Sequence, residues 1–146
     1  ARVLGVPWAR VHEEADRMEH GLSSEIAARV AELIDDSSLC PHGNPLPGHE
    51  HETERFVPLL QCEAGGVYTL ARVHEEVERN PELLRFLEAH ELMPGNVLRL
   101  VELLPFNETI TVESGAGRVV LGYAVGQHLW VCPAREQGGA ASEPAA

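Results

Sequence analysis

Two stretches decide how this sequence is read: Val11-His12-Glu13-Glu14-Ala15-Asp16-Arg17-Met18-Glu19-His20-Gly21-Leu22-Ser23, and Cys40-Pro41-His42-Gly43-Asn44-Pro45-Leu46-Pro47. In the first, Pro7 suits the opening turn of a helix, residues 8–20 are mostly good helix formers, and Gly21 ends the run. Ser23 or Ser24 supplies an N-cap for a second helix, Glu25 suits its first turn, and Ile26, Val30, Leu33 and Ile34 recur at helical spacing. The spacing predicts helices over roughly 7–20 and 24–35, joined by a very short turn. On the first helix His12, Asp16, Glu19 and His20 fall near 0°, 40°, 340° and 80°, at about 100° per residue. Two imidazoles and two carboxylates on one face make a poor core surface unless a divalent cation neutralises them. A solvated acidic face is the competing reading, because Glu13, Glu14 and Arg17 are charged as well.

The second stretch, with its three prolines and its glycine, excludes a helix or a central strand and reads as an extended connector. Beyond it the pattern shifts towards strands. Residues 56–60 and 67–73 are candidates. Asn80-Pro81-Glu82 caps a helix running to about His90, and Pro94-Gly95 turns into a strand over 96–104. Residues 109–112 and 118–121 flank the hairpin signal Glu113-Ser114-Gly115-Ala116-Gly117, and 128–132 is a last strand. Five or six short strands with one helix fit a small barrel. From Pro133 the Gly, Ala, Ser and Glu content predicts a disordered tail.

The whole sequence has 146 residues, 44% hydrophobic, which suffices for a core. With 11 basic residues, all Arg, against 23 acidic ones, the net charge of −12 opposes binding to nucleic acid phosphates and favours cations. No apolar run reaches the roughly 18 residues of a membrane span. Three cysteines without CxxC spacing argue against a disulfide framework, and no signal pattern opens the chain, so a cytoplasmic location is expected. The first residues read as the middle of a longer protein. The hexapeptide Ala-Arg-Val-His-Glu-Glu occurs at 9–14 and again at 71–76 with unrelated flanks, and is taken as coincidence.

The stretch 11–23 resembles the dimerisation and metal-binding segment of the diphtheria toxin repressor family, the iron- and manganese-dependent transcriptional regulators. The Cys-Pro-His-Gly-Asn-Pro connector follows at the family's distance, and the remainder to about Pro133 is similar to the family's C-terminal SH3-like domain, the type also found in ferrous-iron transport A proteins. The implied fold is α+β: a short all-α dimerisation segment followed by a small SH3-like β-barrel. The implied divisions are 1–36 helical segment, 37–55 connector, 56–133 SH3-like domain and 134–146 disordered tail.

The resemblance also implies ligands. His12 matches the family's ancillary-site histidine, and Asp16, Glu19 and His20 match three main-site ligands. Glu75 and Glu78 match the pair lent by the SH3-like domain, with Glu78 replacing a Gln. A carboxylate at 16, where iron regulators tend to have Cys, leans the metal towards Mn²⁺ over Fe²⁺, since oxygen and imidazole donors suit the harder ion. The connector is structural in the family, so Cys40 and His42 are expected to leave the helix site untouched; a separate zinc site with His49 and His51 is the lesser reading. His74, His90 and His128 show no partner pattern, and Cys62 and Cys132 read as packed thiols.

The family's winged helix-turn-helix precedes the region matched here, so DNA binding is expected to belong to a parent protein and not to these residues. The function implied is the metal-sensing, homodimerising portion of a Mn²⁺- or Fe²⁺-dependent repressor controlling metal homeostasis, without enzymatic activity and without a membrane partner. Two rivals are a free-standing SH3-like metal-transport accessory, against which the His/Asp/Glu helix argues, and a degenerate zinc hydrolase. The latter rests on His12-Glu13-Glu14-Ala15-Asp16, which has Asp where that motif needs its second His.

Overall fold

The computed structural model describes residues 4–33 and 38–134. The tail from 135 and Ile34 of the apolar stripe lie outside the described residues. A 3₁₀ turn over Trp8–Arg10 leads into α1, Val11–Glu19. Two arginines pin the exposed side of α1: Arg10 pairs with Glu14, and Arg17 Nη2 donates to Glu13 Oε1 at 2.5 Å. The helix stops at the expected glycine, where the amides of Gly21 and Leu22 both bond to Met18 O. Helix α2, Ser24–Leu33, follows at once, with Ser23 Oγ accepting the Ile26 amide at 3.3 Å as its N-cap. Neither helix buries a residue.

The strands are β1 (Val57–Pro58), β2 (Val67–Val73), β3 (Val97–Leu104), β4 (Thr109–Ser114), β5 (Gly117–Gly122) and β6 (Leu129–Pro133). They form one antiparallel sheet in the order β1-β6-β2-β3-β4-β5. A helical segment followed by an SH3-like β domain is thus what the chain builds. Among the described residues β1 and β5 stay at opposite edges, so the sheet is open and not a closed barrel. The 56–60 strand is shorter than its apolar pattern suggests, because Leu59–Gln61 turns into a 3₁₀ helix that sinks Leu59 into the core.

Three short helices decorate the sheet: α3 (Glu75–Glu78), α4 (Pro81–Ala89) and α5 (Tyr123–Gly126). Pro81 opens α4 and Asn80 Oδ1 accepts the Leu83 amide at 3.1 Å, while Leu84 and Leu87 face inward. The core joins them to Leu70, Val73, Val77, Leu98, Leu100, Ile110, Val112, Leu129 and Val131.

Trp8 belongs to this core. It is 9% exposed, its amide donates to Glu88 Oε1 of α4 at 3.2 Å, and its indole N–H donates to Pro41 O at 2.9 Å. It ties the start of α1 to the SH3-like domain. The segment read as an extended connector is compact at its start. Leu39 and Pro45 form a β-bridge, Cys40 N bonds to Asn44 O at 2.8 Å, and Gly43 N bonds to Cys40 O at 2.9 Å. A further 3₁₀ turn follows at Glu50–Thr53.

Candidate metal centre

The loop 40–45 is seated on the end of β2. Val73 N donates to His42 O at 2.8 Å, and Asn44 Nδ2 donates to Val73 O at 2.9 Å. Gly43 makes this seat possible. Its φ is +81°, and a Cβ there would stand 2.0 Å from Ala71 O. Arg72 Nε donates to Asn44 Oδ1 at 2.6 Å, and Asn44 Nδ2 donates to Glu78 Oε1 at 2.6 Å, which orients both the loop and α3.

Four potential ligands converge where α1, the loop and α3 meet: His12, Cys40, His42 and Glu78, with one ligand atom of each within 4.8 Å of all the others. His12 Nε2 lies 3.2 Å from Glu78 Oε2, and His42 Nδ1 lies 3.7 Å from Glu78 Oε1. The His12 and His42 rings stack with centroids 4.8 Å apart, and Trp8 covers the other side of His42 at 4.5 Å. His42 is fully buried, and neither of its ring nitrogens has a hydrogen-bond partner. Loss of solvent, and then the nearness of His12, pushes its pKa from 6.5 down to about 4. Burial pushes the Cys40 thiol up, against the hydrogen bonds it receives from the loop.

An imidazole held neutral, dry and unpaired is costly unless something accepts its lone pair. A cation between His12, Cys40, His42 and Glu78 would do so, and the donor set of two imidazoles, a thiol and a carboxylate fits a divalent transition ion. Asn44, whose amide bonds Glu78, is the outer partner that such a carboxylate ligand needs.

Of the six residues singled out from the sequence, the structure brings together His12 and Glu78. Asp16 and Glu19 on α1 and His20 at its C-cap are exposed and lie outside the cluster, as does exposed Glu75. Cys40 and His42 stand inside it, so side chains of the connector and of the first helix, read separately in the sequence, meet in one cluster. The sequence signal for this convergence is the Cys-Pro-His triplet itself. His49 and His51 are exposed and do not join it.

His12 of α1, Cys40 and His42 of the loop and Glu78 of α3 thus bring four potential ligands together where the helical segment meets the SH3-like domain. The family model described as "iron dependent repressor, metal binding and dimerisation domain" matches residues 1–48, and the FeoA domain matches 57–133. The chain belongs to the diphtheria toxin repressor family, matching its metal-binding and dimerisation domain and its FeoA domain. The iron-dependent repressor IdeR of Mycobacterium tuberculosis is 41% identical over 130 residues, covering 82% of this chain and 56% of that protein. The diphtheria toxin repressor of Corynebacterium efficiens is 44% identical over 111 residues, covering 76% and 38%. A solved structure of a manganese-dependent transcriptional repressor superposes with a TM-score of 0.69 at 29% identity, covering 90% of this chain and 72% of that one. The chain spans about half the length of the curated relatives it matches. No helix among the described residues is long and apolar enough to cross a membrane.

Proposed function

We propose that this chain is the metal-sensing and dimerisation portion of a cytoplasmic, Mn²⁺- or Fe²⁺-dependent transcriptional repressor, divided as 1–36, 37–55, 56–133 and 134–146. The observation that carries the reading is His42, buried with both nitrogens unpartnered inside a cluster drawn from three separated segments. His12, Cys40, His42 and Glu78 would hold one ion; a bound divalent ion supplies the positive charge that this pocket's lone pairs lack. Asp16, Glu19 and His20 remain exposed on α1, where ligands from another part of the parent protein can complete a second position. Because the thiol sits in the inner cluster, that position favours Fe²⁺, while the oxygen-rich face of α1 suits Mn²⁺.

The physical logic is linkage. An ion that ties α1 to the loop and α3 stabilises one arrangement of the two parts and shifts the population towards it. The chain acts by binding and not by covalent chemistry. Contact with an operator is assigned to the parent protein, since a net charge of −12 gives little counterion release. Titration calorimetry with Mn²⁺ and anaerobic Fe²⁺ on the wild type, His42→Ala and Asp16→Ala tests the assignment. His42→Ala is expected to remove one binding event and Asp16→Ala to leave that event intact. Retention of every event in His42→Ala would refute the inner cluster.

A further inference from the structure

His74, Glu76 and His128 form a second convergence that the proposed sensing function does not use. His74 caps α3, Glu76 lies in that helix, and His128 precedes β6. The backbone fixes the meeting: His74 N donates to His128 O at 2.9 Å. The two rings then face each other with centroids 5.8 Å apart and 37° between planes. Glu76 Oε2 lies 3.8 Å from His128 Nδ1, and one ligand atom of each of the three residues lies within 4.8 Å of the other two. The His128 side chain is 20% exposed and that of Glu76 is 70% exposed. The histidines are therefore set by packing, while the carboxylate is free to close from solvent.

We propose that His74, Glu76 and His128 bind a divalent cation of borderline character, Zn²⁺ or Co²⁺ rather than Mg²⁺ or Ca²⁺, on the SH3-like domain. Two imidazoles and one carboxylate are a three-ligand set that such ions accept, with water completing the tetrahedron. Hard alkaline-earth ions seek oxygen and are poorly served by two imidazoles. Ligand atoms about a tetrahedral ion at about 2.0–2.1 Å stand about 3.3 Å apart. Glu76 Oε2, at 3.8 Å from His128 Nδ1, must therefore draw in by about 0.5 Å, which rotation of that exposed side chain can supply.

An exposed ion pair is the bland account of Glu76 and His128, but at 3.8 Å it is too long to hold the carboxylate there. Binding has one built-in cost. His74 Nδ1 accepts the Glu76 amide at 3.3 Å. Ligation through Nδ1 takes that lone pair, and ligation through Nε2 puts a proton on Nδ1, so either choice opens the cap. The site is consequently weaker than the His12–Cys40–His42–Glu78 cluster, and its filling is visible at the Glu76 amide. It is independent of that cluster's role in sensing, although Glu76 and Glu78 share α3.

The test is a Co²⁺ titration of the whole chain, followed by visible absorption, calorimetry and amide NMR. Variants are His128→Gln, Glu76→Gln, and His74→Asn, which keeps a capping oxygen. Cys40→Ser/His42→Ala serves to disable the other cluster. In the Cys40→Ser/His42→Ala background one equivalent of Co²⁺ is expected to remain and to shift the Glu76 amide. Adding His128→Gln or Glu76→Gln should weaken that equivalent at least about tenfold, a first-ligand effect no smaller than that of losing an outer partner. Circular dichroism checks the fold of each variant, and exposed Glu76→Gln keeps the test valid even where a histidine variant unfolds. Unchanged Co²⁺ affinity in Glu76→Gln and His74→Asn, or a remaining equivalent that leaves the Glu76 amide unmoved, overturns the site.

Discussion

His12 Nε2 stands 3.2 Å from Glu78 Oε2, a contact that joins the first helix to the SH3-like domain through two groups able to ligate the same ion. His42 lies against both, stacked on the His12 ring and 3.7 Å from the other oxygen of Glu78. The pair alone is a modest polar contact, with His12 nearly half exposed. With His42 and Cys40 behind it, the contact becomes the open side of a pocket.

The most direct prediction concerns His42→Leu. It removes two buried nitrogens that have no partner, and so should stabilise the metal-free protein by about 1–2 kcal/mol. The same change removes a ligand, so stabilisation by added Fe²⁺ or Mn²⁺ should shrink. Thermal melts with and without metal read both effects. A histidine kept for packing would give destabilisation in the first melt and no change in the metal increment.

Acid should act through the same residue. The folded-state pKa of His42 is about 4, below the unfolded 6.5. Between those values the unfolded chain takes up a proton that the folded chain refuses, so stability falls as pH drops from 6.5 to 4 and levels off below. At about 1.4 kcal/mol per unit the loss is on the order of 3 kcal/mol. Denaturant midpoints across this range should slope in the wild type and lose that component of the slope in His42→Leu. Parallel slopes in the two proteins would show that another group carries the acid sensitivity.

Metal binding should release a proton from Cys40. Burial holds its thiol above the usual range, so it is protonated at neutral pH, and a ligating thiolate must give that proton up. Calorimetry in buffers of different ionisation enthalpy should register about one proton per ion. The figure should fall towards zero in Cys40→Ser. Equal release from the two proteins would place the ion elsewhere.

What the sequence disclosed follows from the range of the forces involved. Helix α4 is written in a cap, a proline and an apolar face, and the β4–β5 hairpin in a glycine turn, so neighbours sufficed. The hexapeptide at 9–14 and 71–76 marks the limit. Val11 and His12 lie in a helix, whereas Val73 ends a strand and His74 caps α3, because only the second copy has sheet partners. The meeting of Cys40 and His42 with His12 and Glu78 was marked in the sequence only by the Cys-Pro-His triplet, not by any periodicity. It depends on a loop reaching backbone some thirty residues further along the chain, and no periodicity encodes that. Asp16, Glu19 and His20, which helical spacing places on one face, are exposed and stand outside the cluster at the loop.

The loop's seat makes Gly43 the sharpest structural test. Gly43→Ala combines a positive φ with a Cβ placed 2.0 Å from the Ala71 carbonyl oxygen, a backbone atom of β2 that cannot step aside. The loss should reach at least about 2 kcal/mol. Because Cys40 and His42 lie just ahead of the position in the same loop, metal affinity should fall even in the fraction that folds. A chemical melt and a metal titration on the same sample separate the two effects. Wild-type values in both would show that the loop does not seat against the β2 backbone at Gly43.

The last prediction concerns α1 and α2, which bury nothing within one chain. On α2, Ile26 is 51% exposed and Leu33 72%, with Val30 half-buried between them. An apolar stripe on a two-helix unit that covers none of it is stable in water only against a partner. Two copies of the same stripe related by a two-fold axis satisfy each other without exposing a further edge. Ile26→Glu combined with Leu33→Glu places like charges across such an axis, so dimers should dissociate, while the cluster on His12, Cys40, His42 and Glu78, made within one chain, should still bind its ion. Sedimentation equilibrium at micromolar concentration should give a dimer for the wild type and a monomer for the double variant, with metal titrations matching at the inner cluster. A wild-type monomer that stays monomeric with metal would remove the dimer from the proposed function and leave the stripe to a different partner.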